Sequence, residues 1–270
     1  MSQTEIRKKF FYAMSDAGLY DATIEWVAPH YKLMHQMMHQ LVAESIRRLN
    51  DQPITVLDIG SGTGEDAITM LKAFPNINLV GLDLCSPMNT VFIENAKKYG
   101  ISKERFSLIQ GDILEPGTSK LIQEKTQNLF GKKEFNIITS AFTFHHFTTA
   151  QKADVFRLVQ DLLIPGGIFL LGDLFNFGEE SPWLTQTIFN WEVEWIANNF
   201  EQGANTAEIA GDTQRGAKLR TLKDQWVRHY IYDNKLDGVT TQLHLLRDAG
   251  FHQAGNPFRY WQVGLIVATK

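Results

Sequence analysis

The stretch Val56-Leu57-Asp58-Ile59-Gly60-Ser61-Gly62-Thr63-Gly64 decides the fold, together with the acidic residues Glu65 and Asp66 that follow it. An apolar, strand-like run leads into a turn, and a helix begins directly after the turn. The glycines allow the backbone to approach a ligand closely. This order of strand, turn and helix predicts the first βα unit of a doubly wound α/β protein.

The spacing of the turn indicates the kind of ligand. Gly-x-Gly-x-Gly differs from the Gly-x-Gly-x-x-Gly of dinucleotide-binding turns. A pyrophosphate at this helix N-terminus would be repelled by Glu65 and Asp66, whereas the ammonium group of an amino acid can pair with them. The sequence has no Gly-Lys-Ser or Gly-Lys-Thr, which excludes a P-loop. The turn therefore favours a nucleoside that carries an amino acid over one that carries phosphates.

Short β-rich runs alternate with amphipathic segments from Pro53 to Phe175. Such alternation predicts βαβ units and a parallel sheet with helices on both faces. The predicted strands are Ile54–Ile59, Asn78–Asp83, Phe106–Gln110, Phe135–Phe142 and Ile168–Leu174. The predicted helices are Glu65–Phe74, Pro87–Tyr99, Ser119–Phe130 and Ala150–Leu163.

The segments on either side of this alternation have a different character. Residues 22–48 have a helical pattern broken at Pro29, so we predict N-terminal lid helices within residues 1–52. Residues 176–235 contain no clear strand, and we predict a helical cap there, inserted after strand five of a core that spans 53–270.

The end of the chain predicts one more helix and two more strands. A helix near Thr240–Ala249 ends at Gly250, a normal C-terminal glycine. Strands around Pro257–Trp261 and Val263–Thr269 follow too closely for a crossover helix, so they are expected to run antiparallel. The expected fold is a doubly wound, mostly parallel seven-stranded sheet with an antiparallel last strand, a helical lid and a helical cap.

Three acidic residues follow successive predicted strands or lie at their ends. Asp83 ends the second strand and is placed to accept hydrogen bonds from ribose hydroxyls. Asp112 follows the third strand and is placed to accept from an adenine amino group, while Asp58 lies near the end of the first. Ligands of open α/β sheets bind at these carboxyl ends, so the three residues point to a nucleoside site.

At these residues the chain resembles the class I S-adenosylmethionine-dependent methyltransferases, which have a Rossmann-like fold. The resemblance covers roughly Val56 to Lys270 apart from the cap, and Tyr20-Asp21 and Pro29-His30-Tyr31 resemble the lid helices of small-molecule members. The matching segments are Val56–Gly64, Asp83, Gly111-Asp112, Ser140–His146, Leu163–Gly167 and Leu246–Phe251.

The resemblance implies an enzyme that transfers a methyl group from S-adenosylmethionine to a small-molecule acceptor by in-line displacement, with the acceptor atom left open. Two alternatives stay open: a carboxy-S-adenosylmethionine synthase-like enzyme, and a cofactor-binding protein without catalysis. The residues expected to bind the cofactor are Tyr31, Asp58, Gly60, Ser61, Gly62, Gly64, Asp83, Leu84, Gly111, Asp112, Ile113, Ser140, Ala141 and Phe142.

Several side chains are candidates for roles beside the cofactor. His145 and His146 follow the fourth strand, where a histidine is suited to accept a proton from the acceptor near neutral pH. Adjacent residues of an extended chain point in opposite directions, so one is expected to face the pocket, and His146 is slightly favoured for catalysis. In the cap, we expect Trp226, His229, Tyr230 and Tyr232 to line a pocket, Trp191 and Trp195 to be core residues, and Arg215, Arg220 and Arg228 to be solvated.

No metal is expected from the sequence. His35 and His39 are four apart on a predicted helix and could share an ion, but nothing completes their ligand set. We interpret them as polar positions on a methionine-lined lid helix.

Composition limits the partners and the compartment. The chain has 270 residues, 44% of them hydrophobic and 21% charged, with a formal net charge of -4. This balance is ordinary for a globular protein and lacks the positive surplus of a nucleic-acid binder. A small molecule is thus the expected partner, with no nucleic acid and no membrane, and a homodimer is compatible with the sequence. A single cysteine and the lack of a signal-like apolar run favour a cytoplasmic location.

Overall fold

The computed structural model describes residues 17–49, 53–178 and 181–270. Seven strands form one sheet in the order β3-β2-β1-β4-β5-β7-β6. Strands β1 to β5 pair in parallel, and β7 runs antiparallel to both β5 and β6. The predicted fold class is confirmed. The strands are β1 (Ile54–Ile59), β2 (Ile77–Asp83), β3 (Phe106–Gln110), β4 (Phe135–Ala141), β5 (Leu163–Leu174), β6 (Gln253–Tyr260) and β7 (Val263–Thr269).

Helices cover both faces of the sheet and extend above its carboxyl edge. No helix among the described residues is long and apolar enough to cross a membrane. The helices are α1 (Ala17–Val27), α2 (Tyr31–Arg48), α3 (Glu65–Ala73), α4 (Ser86–Lys98), α5 (Thr118–Phe130), α6 (Thr149–Leu162), α7 (Pro182–Ile209), α8 (Thr213–Tyr232) and α9 (Val239–Asp248).

The hydrophobic core is divided by the sheet into two layers, because successive strand residues point to opposite faces. In β1, Val56 belongs to one layer and Leu57 to the other. In β5, Leu170 and Leu171 divide in the same way. Such central strands are buried on both faces, and this explains why they read as continuous apolar runs rather than alternating ones.

Two strands begin four or five residues earlier than the sequence predicts. Strand β5 starts at Leu163 rather than Ile168, although its first five residues include a proline and two glycines. Lys270 at the chain end accepts a hydrogen bond from Gly166 and donates one to Gly167, which keeps this irregular segment in the sheet. Strand β6 starts at Gln253 because a register shift absorbs the residues between Gly255 and Phe258.

Helices α7 and α8 form the segment interpreted as a cap, and they pack against each other. The buried stripe of α7 consists of Ile188, Glu192, Ile196, Phe200 and Ala204, at intervals of four residues.

The interpretation of Trp191 and Trp195 as core residues is wrong. These side chains are 48% and 38% exposed and contact Trp261 at ring-centroid distances of 6.0 Å each. They lie beside the buried stripe of α7 rather than on it.

The predicted division into lid, core and cap stays a prediction. Residues 1–16 and 50–52, which belong to the predicted lid, and residues 179–180 at the start of the cap lie outside the described residues. The described part of the lid packs on the sheet and on the cap: Met34 of α2 lies against Gly172 of β5, and Trp26 of α1 meets Phe200 edge-on at 5.3 Å.

A buried carboxyl group joins the cap to the sheet. Glu192 is 1% exposed; its Oε1 accepts the backbone N–H of Gln262 at 3.0 Å, and its Oε2 lies within hydrogen-bond distance of the Tyr230 hydroxyl. That hydroxyl is also 2.7 Å from Gln262 Oε1. A phenol has one hydrogen to donate. Tyr230 donates it to Glu192 when that carboxyl group is ionised, whereas a protonated Glu192 can donate to Tyr230 and leave the phenol hydrogen for Gln262.

Burial favours the protonated form of Glu192, as the pKa of this carboxyl group shows. Burial raises its pKa to about 7, and hydrogen bonds from Tyr230 and Gln262 oppose the shift only in part. Because the folded state holds this proton more tightly than the unfolded chain, stability present below about pH 4.5 is lost as the pH rises through about 7.

We expect Glu192→Gln to remove this part of the pH dependence, because glutamine mimics the protonated acid. Between pH 5 and 8 the parent should lose on the order of 3 kcal/mol relative to the variant, from the 1.4 kcal/mol that one pKa unit is worth. The measurement is urea unfolding at each pH. Glu194→Gln, an exposed site on the same helix, is the matched control and should follow the parent. Parallel curves for parent and Glu192→Gln would show that Glu192 is ionised throughout.

Candidate active site

The glycine turn after β1 is positioned by close backbone contacts. Gly60 has φ +77°, and its N–H donates to the carbonyl of Leu82 at 2.7 Å. A Cβ on Gly60 would overlap the side chain of Thr143, and one on Gly64, at φ +81°, would overlap the ring of Phe92. Both positions combine left-handed backbone with contact, so only glycine fits them without strain.

Asp83 at the end of β2 holds the turn in place. Its Oδ2 accepts the N–H of Gly62 at 2.8 Å, and its Oδ1 accepts the N–H of Cys85 at 2.7 Å. Burial raises the pKa of Asp83, and these two donors oppose the shift. Each carboxylate oxygen keeps a second lone pair, so the fixed group can still accept hydrogen bonds from a diol.

A cavity of about 730 Å³, partly open to solvent, lies over the carboxyl ends of β1, β2 and β4. Its outline runs from the glycine turn past Asp83 to the residues after β3 and β4, which is the path expected for a nucleoside with an amino-acid tail. The predicted cofactor residues on its wall are Gly60, Gly62, Asp83, Leu84, Gly111, Asp112, Ile113, Ala141 and Phe142.

Five other predicted cofactor residues do not line this cavity, and their role in binding stays a prediction. They are Tyr31, Asp58, Ser61, Gly64 and Ser140. Asp58 accepts from the Thr139 hydroxyl at 2.9 Å, and Ser140 donates to the carbonyl of Ile59 at 2.7 Å, so both join β1 to β4. The Tyr31 ring stacks on Phe142 at 5.5 Å.

The wall also contains residues that the sequence did not point to as site residues. Tyr20 of α1 had only a resemblance to lid helices as its signal. The others are apolar or small side chains: Ile59 and Thr143, which lie within the recognised segments, and Leu82, Cys85, Met88 and Phe147, which lie outside them.

The histidine pair of α2 binds a carboxylate of the chain itself. His35 Nδ1 and His39 Nε2 each lie 2.6 Å from an oxygen of Asp66. Burial alone would raise the pKa of Asp66, but the two histidines outweigh it and hold the pKa below its ordinary value. This contact fastens the lid helix to the glycine-turn helix, consistent with a structural role for the pair.

A second cavity of about 420 Å³ adjoins the first and shares Tyr20, Phe142 and His146 with it. The cap residues Trp226, His229 and Tyr230 line it as predicted, whereas Tyr232 is 70% exposed and lies outside. The remaining wall residues are Ile24, Val27, Ala28, His145, Leu174 and Asn234. The chain thus has an apolar chamber with histidines beside the nucleoside-shaped one.

The turn after β4 brings both candidate histidines to this chamber. Phe142 has φ +50°, an uncommon conformation for a non-glycine residue, and its N–H donates to Gly172 at 2.8 Å. This residue ends the strand, so the alternation expected for an extended chain does not apply. His146 lines both cavities and His145 lines the second; their catalytic role stays a prediction.

Each of two histidines is oriented by a carboxylate. His145 Nδ1 lies 2.5 Å from Asp173 Oδ1, and the His145 backbone N–H donates to the same carboxylate at 3.0 Å. On α8, His229 Nδ1 lies 2.9 Å from Asp233 Oδ2. Burial lowers the pKa of His229, His145 lowers it further, and Asp233 opposes the shift.

The segment after α8 bonds the cap to the turn after β4, called here the histidine turn because it contains His145 and His146. The backbone N–H of Lys235 donates to the carbonyl of His145 at 2.6 Å. Two residues on, Asp237 pairs with the fully buried ammonium of Lys152 at 2.6 Å and accepts from the Thr149 hydroxyl at 2.7 Å. The position of His229 relative to His145 is therefore fixed by several bonds across the cap boundary.

This sheet order, with a glycine turn after β1 and acidic residues after β2 and β3, defines the class I methyltransferase fold. Residues 56–167 match a family model described as a methyltransferase domain. The chain thus contains a methyltransferase domain and has the fold of the class I S-adenosylmethionine-dependent methyltransferases, in line with the resemblance seen in the sequence.

Known proteins resemble the chain to different extents. The chain is 30% identical to malonyl-[acyl-carrier protein] O-methyltransferase from Halalkalibacterium halodurans over 212 residues. This match covers 78% of the chain but only 64% of that relative. The chain is 22% identical to carboxy-S-adenosyl-L-methionine synthase from Nautilia profundicola, over 98% of the chain and 96% of the relative.

A solved structure supports the fold along the full length. Magnesium protoporphyrin IX methyltransferase from Synechocystis PCC 6803, with bound S-adenosylmethionine, superposes with a TM-score of 0.60 at 12% identity and covers 100% of this chain and 98% of that one.

We expect Asp83→Asn to weaken S-adenosylhomocysteine binding on the order of ten- to a hundredfold, the loss of a charged acceptor. The asparagine amide would also oppose one of the two N–H groups that Asp83 now accepts. Titration calorimetry measures the effect, and NAD should give no heat with either protein. Asp161→Asn, an exposed site on α6, is the control. An affinity equal to that of the control would remove Asp83 from the binding site.

Proposed function

We propose that the chain binds S-adenosylmethionine in the first cavity and transfers its methyl group to a small molecule bound in the second. The observation that carries this proposal is that the two cavities adjoin and share Tyr20, Phe142 and His146. A methyl donor in one and an acceptor in the other would meet at these three side chains.

Methyl transfer from a sulfonium is an in-line displacement, so a site works chiefly by positioning and by excluding water. The aromatic rings of Tyr20 and Phe142 at the junction suit the cationic sulfur. Apolar side chains such as Ile24, Val27 and Leu174 keep water from the acceptor chamber. These features favour a compact, largely apolar acceptor held in one orientation.

His146 is the side chain that we propose accepts a proton when the nucleophile is protonated. It is the histidine that lines both cavities, whereas His145 is 6% exposed and anchored by Asp173. We propose that His145 positions its neighbour and the acceptor.

A carboxy-S-adenosylmethionine synthase-like reaction is the alternative, favoured by the full-length match to one such enzyme. That chemistry needs a cation, such as an arginine, near the sulfur to hold an added carboxylate. No arginine among the described ranges lines either cavity. Arg220 is bound to Glu201 and Glu208 within the cap, and Arg215 and Arg228 are exposed. The lining of the site therefore supports methyl transfer over carboxyl transfer.

The test is incubation with methyl-labelled S-adenosylmethionine and a panel of small acids, alcohols, thiols and amines. We expect label in an acceptor that gains one methylene unit in mass, together with S-adenosylhomocysteine. A carboxylated cofactor would instead identify the alternative reaction. Cofactor binding without transfer to any member of a broad panel would favour a non-catalytic protein.

With the acceptor in hand, His146→Ala should lower turnover about 10²- to 10⁴-fold, the usual worth of a general base. Its affinity for S-adenosylhomocysteine should stay nearly unchanged, because the side chain borders the cofactor rather than holding its polar groups. His244→Ala, an exposed histidine on α9, is the control. Near-parental turnover of His146→Ala would show that the site works by proximity and desolvation alone.

A further inference from the structure

Three histidines from distant parts of the chain converge in the second cavity. His145 and His146 come from the turn after β4, and His229 comes from the last turns of α8. One ring nitrogen from each lies within 4.8 Å of those from the other two. Neither proton transfer nor acceptor binding as proposed above requires three imidazoles at one point.

We propose that His145, His146 and His229 bind a divalent transition-metal ion, with zinc as the preferred metal. Three neutral imidazoles form a ligand set that suits zinc, copper or nickel and does not suit magnesium or calcium, which prefer oxygen. This site departs from the sequence-based expectation of no metal, which considered only the pair on α2.

Carboxylates hydrogen-bonded to two of the rings also support a metal site. His145 gives Nδ1 to Asp173 and His229 gives Nδ1 to Asp233, at 2.5 and 2.9 Å. A ring whose Nδ1–H is donated to a carboxylate has its lone pair on Nε2. Metal-binding histidines are oriented by carboxylates in this same way, which fixes the tautomer and makes the ligand more basic.

The spacing is close to that of a tetrahedral site. With Zn–N bonds of about 2.0–2.1 Å, ligand nitrogens lie about 3.3 Å apart, and small rotations of the three rings from their separations of up to 4.8 Å reach this value. Three protein ligands leave a fourth position open, as catalytic zinc sites do. Asn234 lines the same cavity, and its buried Oδ1 has no hydrogen-bond donor among the described residues.

The open position would face the acceptor chamber, and this consequence rests on the proposed function. A hydroxyl or thiol acceptor bound to the ion would lose its proton to water more easily at neutral pH, because the cation stabilises the anion that forms. That anion would bond to the methyl group of the sulfonium as the carbon–sulfur bond breaks and S-adenosylhomocysteine leaves. With the ion bound, His146 would be a ligand in place of its role as proton acceptor, and the three histidines would act on the acceptor through the ion. The acceptor class that fits this arrangement is an alcohol, phenol or thiol with an apolar body.

The test is titration of the full chain, without an affinity tag, with Co²⁺ in place of zinc. We expect one equivalent to produce the intense visible absorption of a tetrahedral site, and one equivalent of Zn²⁺ to abolish it. His229→Ala should remove the spectrum, and Asp233→Asn should weaken cobalt binding about 10- to 100-fold, the usual effect of losing such a carboxylate. His244→Ala should retain parental binding.

Thermal unfolding without metal checks that each variant is folded. If His229→Ala does not fold, the weaker cobalt binding expected of Asp233→Asn is the test. An unchanged spectrum in His229→Ala, or no spectrum in the parent, would overturn the proposal. Calorimetry with S-adenosylhomocysteine on the metal-free protein separates the outcomes, since cofactor binding without cobalt binding would refute the metal site and leave the methyltransferase proposal standing.

Discussion

The contact between Gly60 and Thr143 is the constraint on which the rest of the site depends. It brings the turn after β1 against the turn after β4, with no room for a side chain on Gly60. Asp83 holds the other side of the glycine turn through Gly62. The nucleoside-shaped cavity exists because these two turns meet at the edge of the sheet, and the left-handed Phe142 directs the next residues away from the strand.

A second set of contacts builds the acceptor chamber from parts that are far apart in the chain. Asp173 lies at the end of β5 and orients His145, while Asp233 follows α8 and orients His229. Each carboxylate is buried or half-buried close to its partner, where a hydrogen bond is stronger than it would be in water. The chamber is consequently more ordered on its histidine side than its largely apolar wall alone would require.

The sequence predicts the sheet well because its signals are local. Runs of branched apolar residues end at glycines and aspartates, and the strand and helix bounds follow within a few residues, apart from the starts of β5 and β6. Asp83 and the glycine turn are likewise recognisable, since motif and position coincide. Three cap residues on the wall of the second cavity were predicted, but the approach of His229 to His146 was not, because it depends on how the cap packs. The exposure of Trp191 shows the same limit, since helical spacing identifies a stripe but not which neighbour covers it.

The bonds between residues 235–237 and the histidine turn have a consequence for how molecules reach the chamber. Lys235 is bonded to His145, and Asp237 to Lys152, so the cap cannot swing outward without breaking a buried ion pair. Helix α1 forms the opposite wall through Tyr20, Ile24 and Val27. Entry and product release would then require displacement of α1 rather than of the cap. The lifting and reseating of one helix is a gating motion of the kind that takes microseconds to milliseconds.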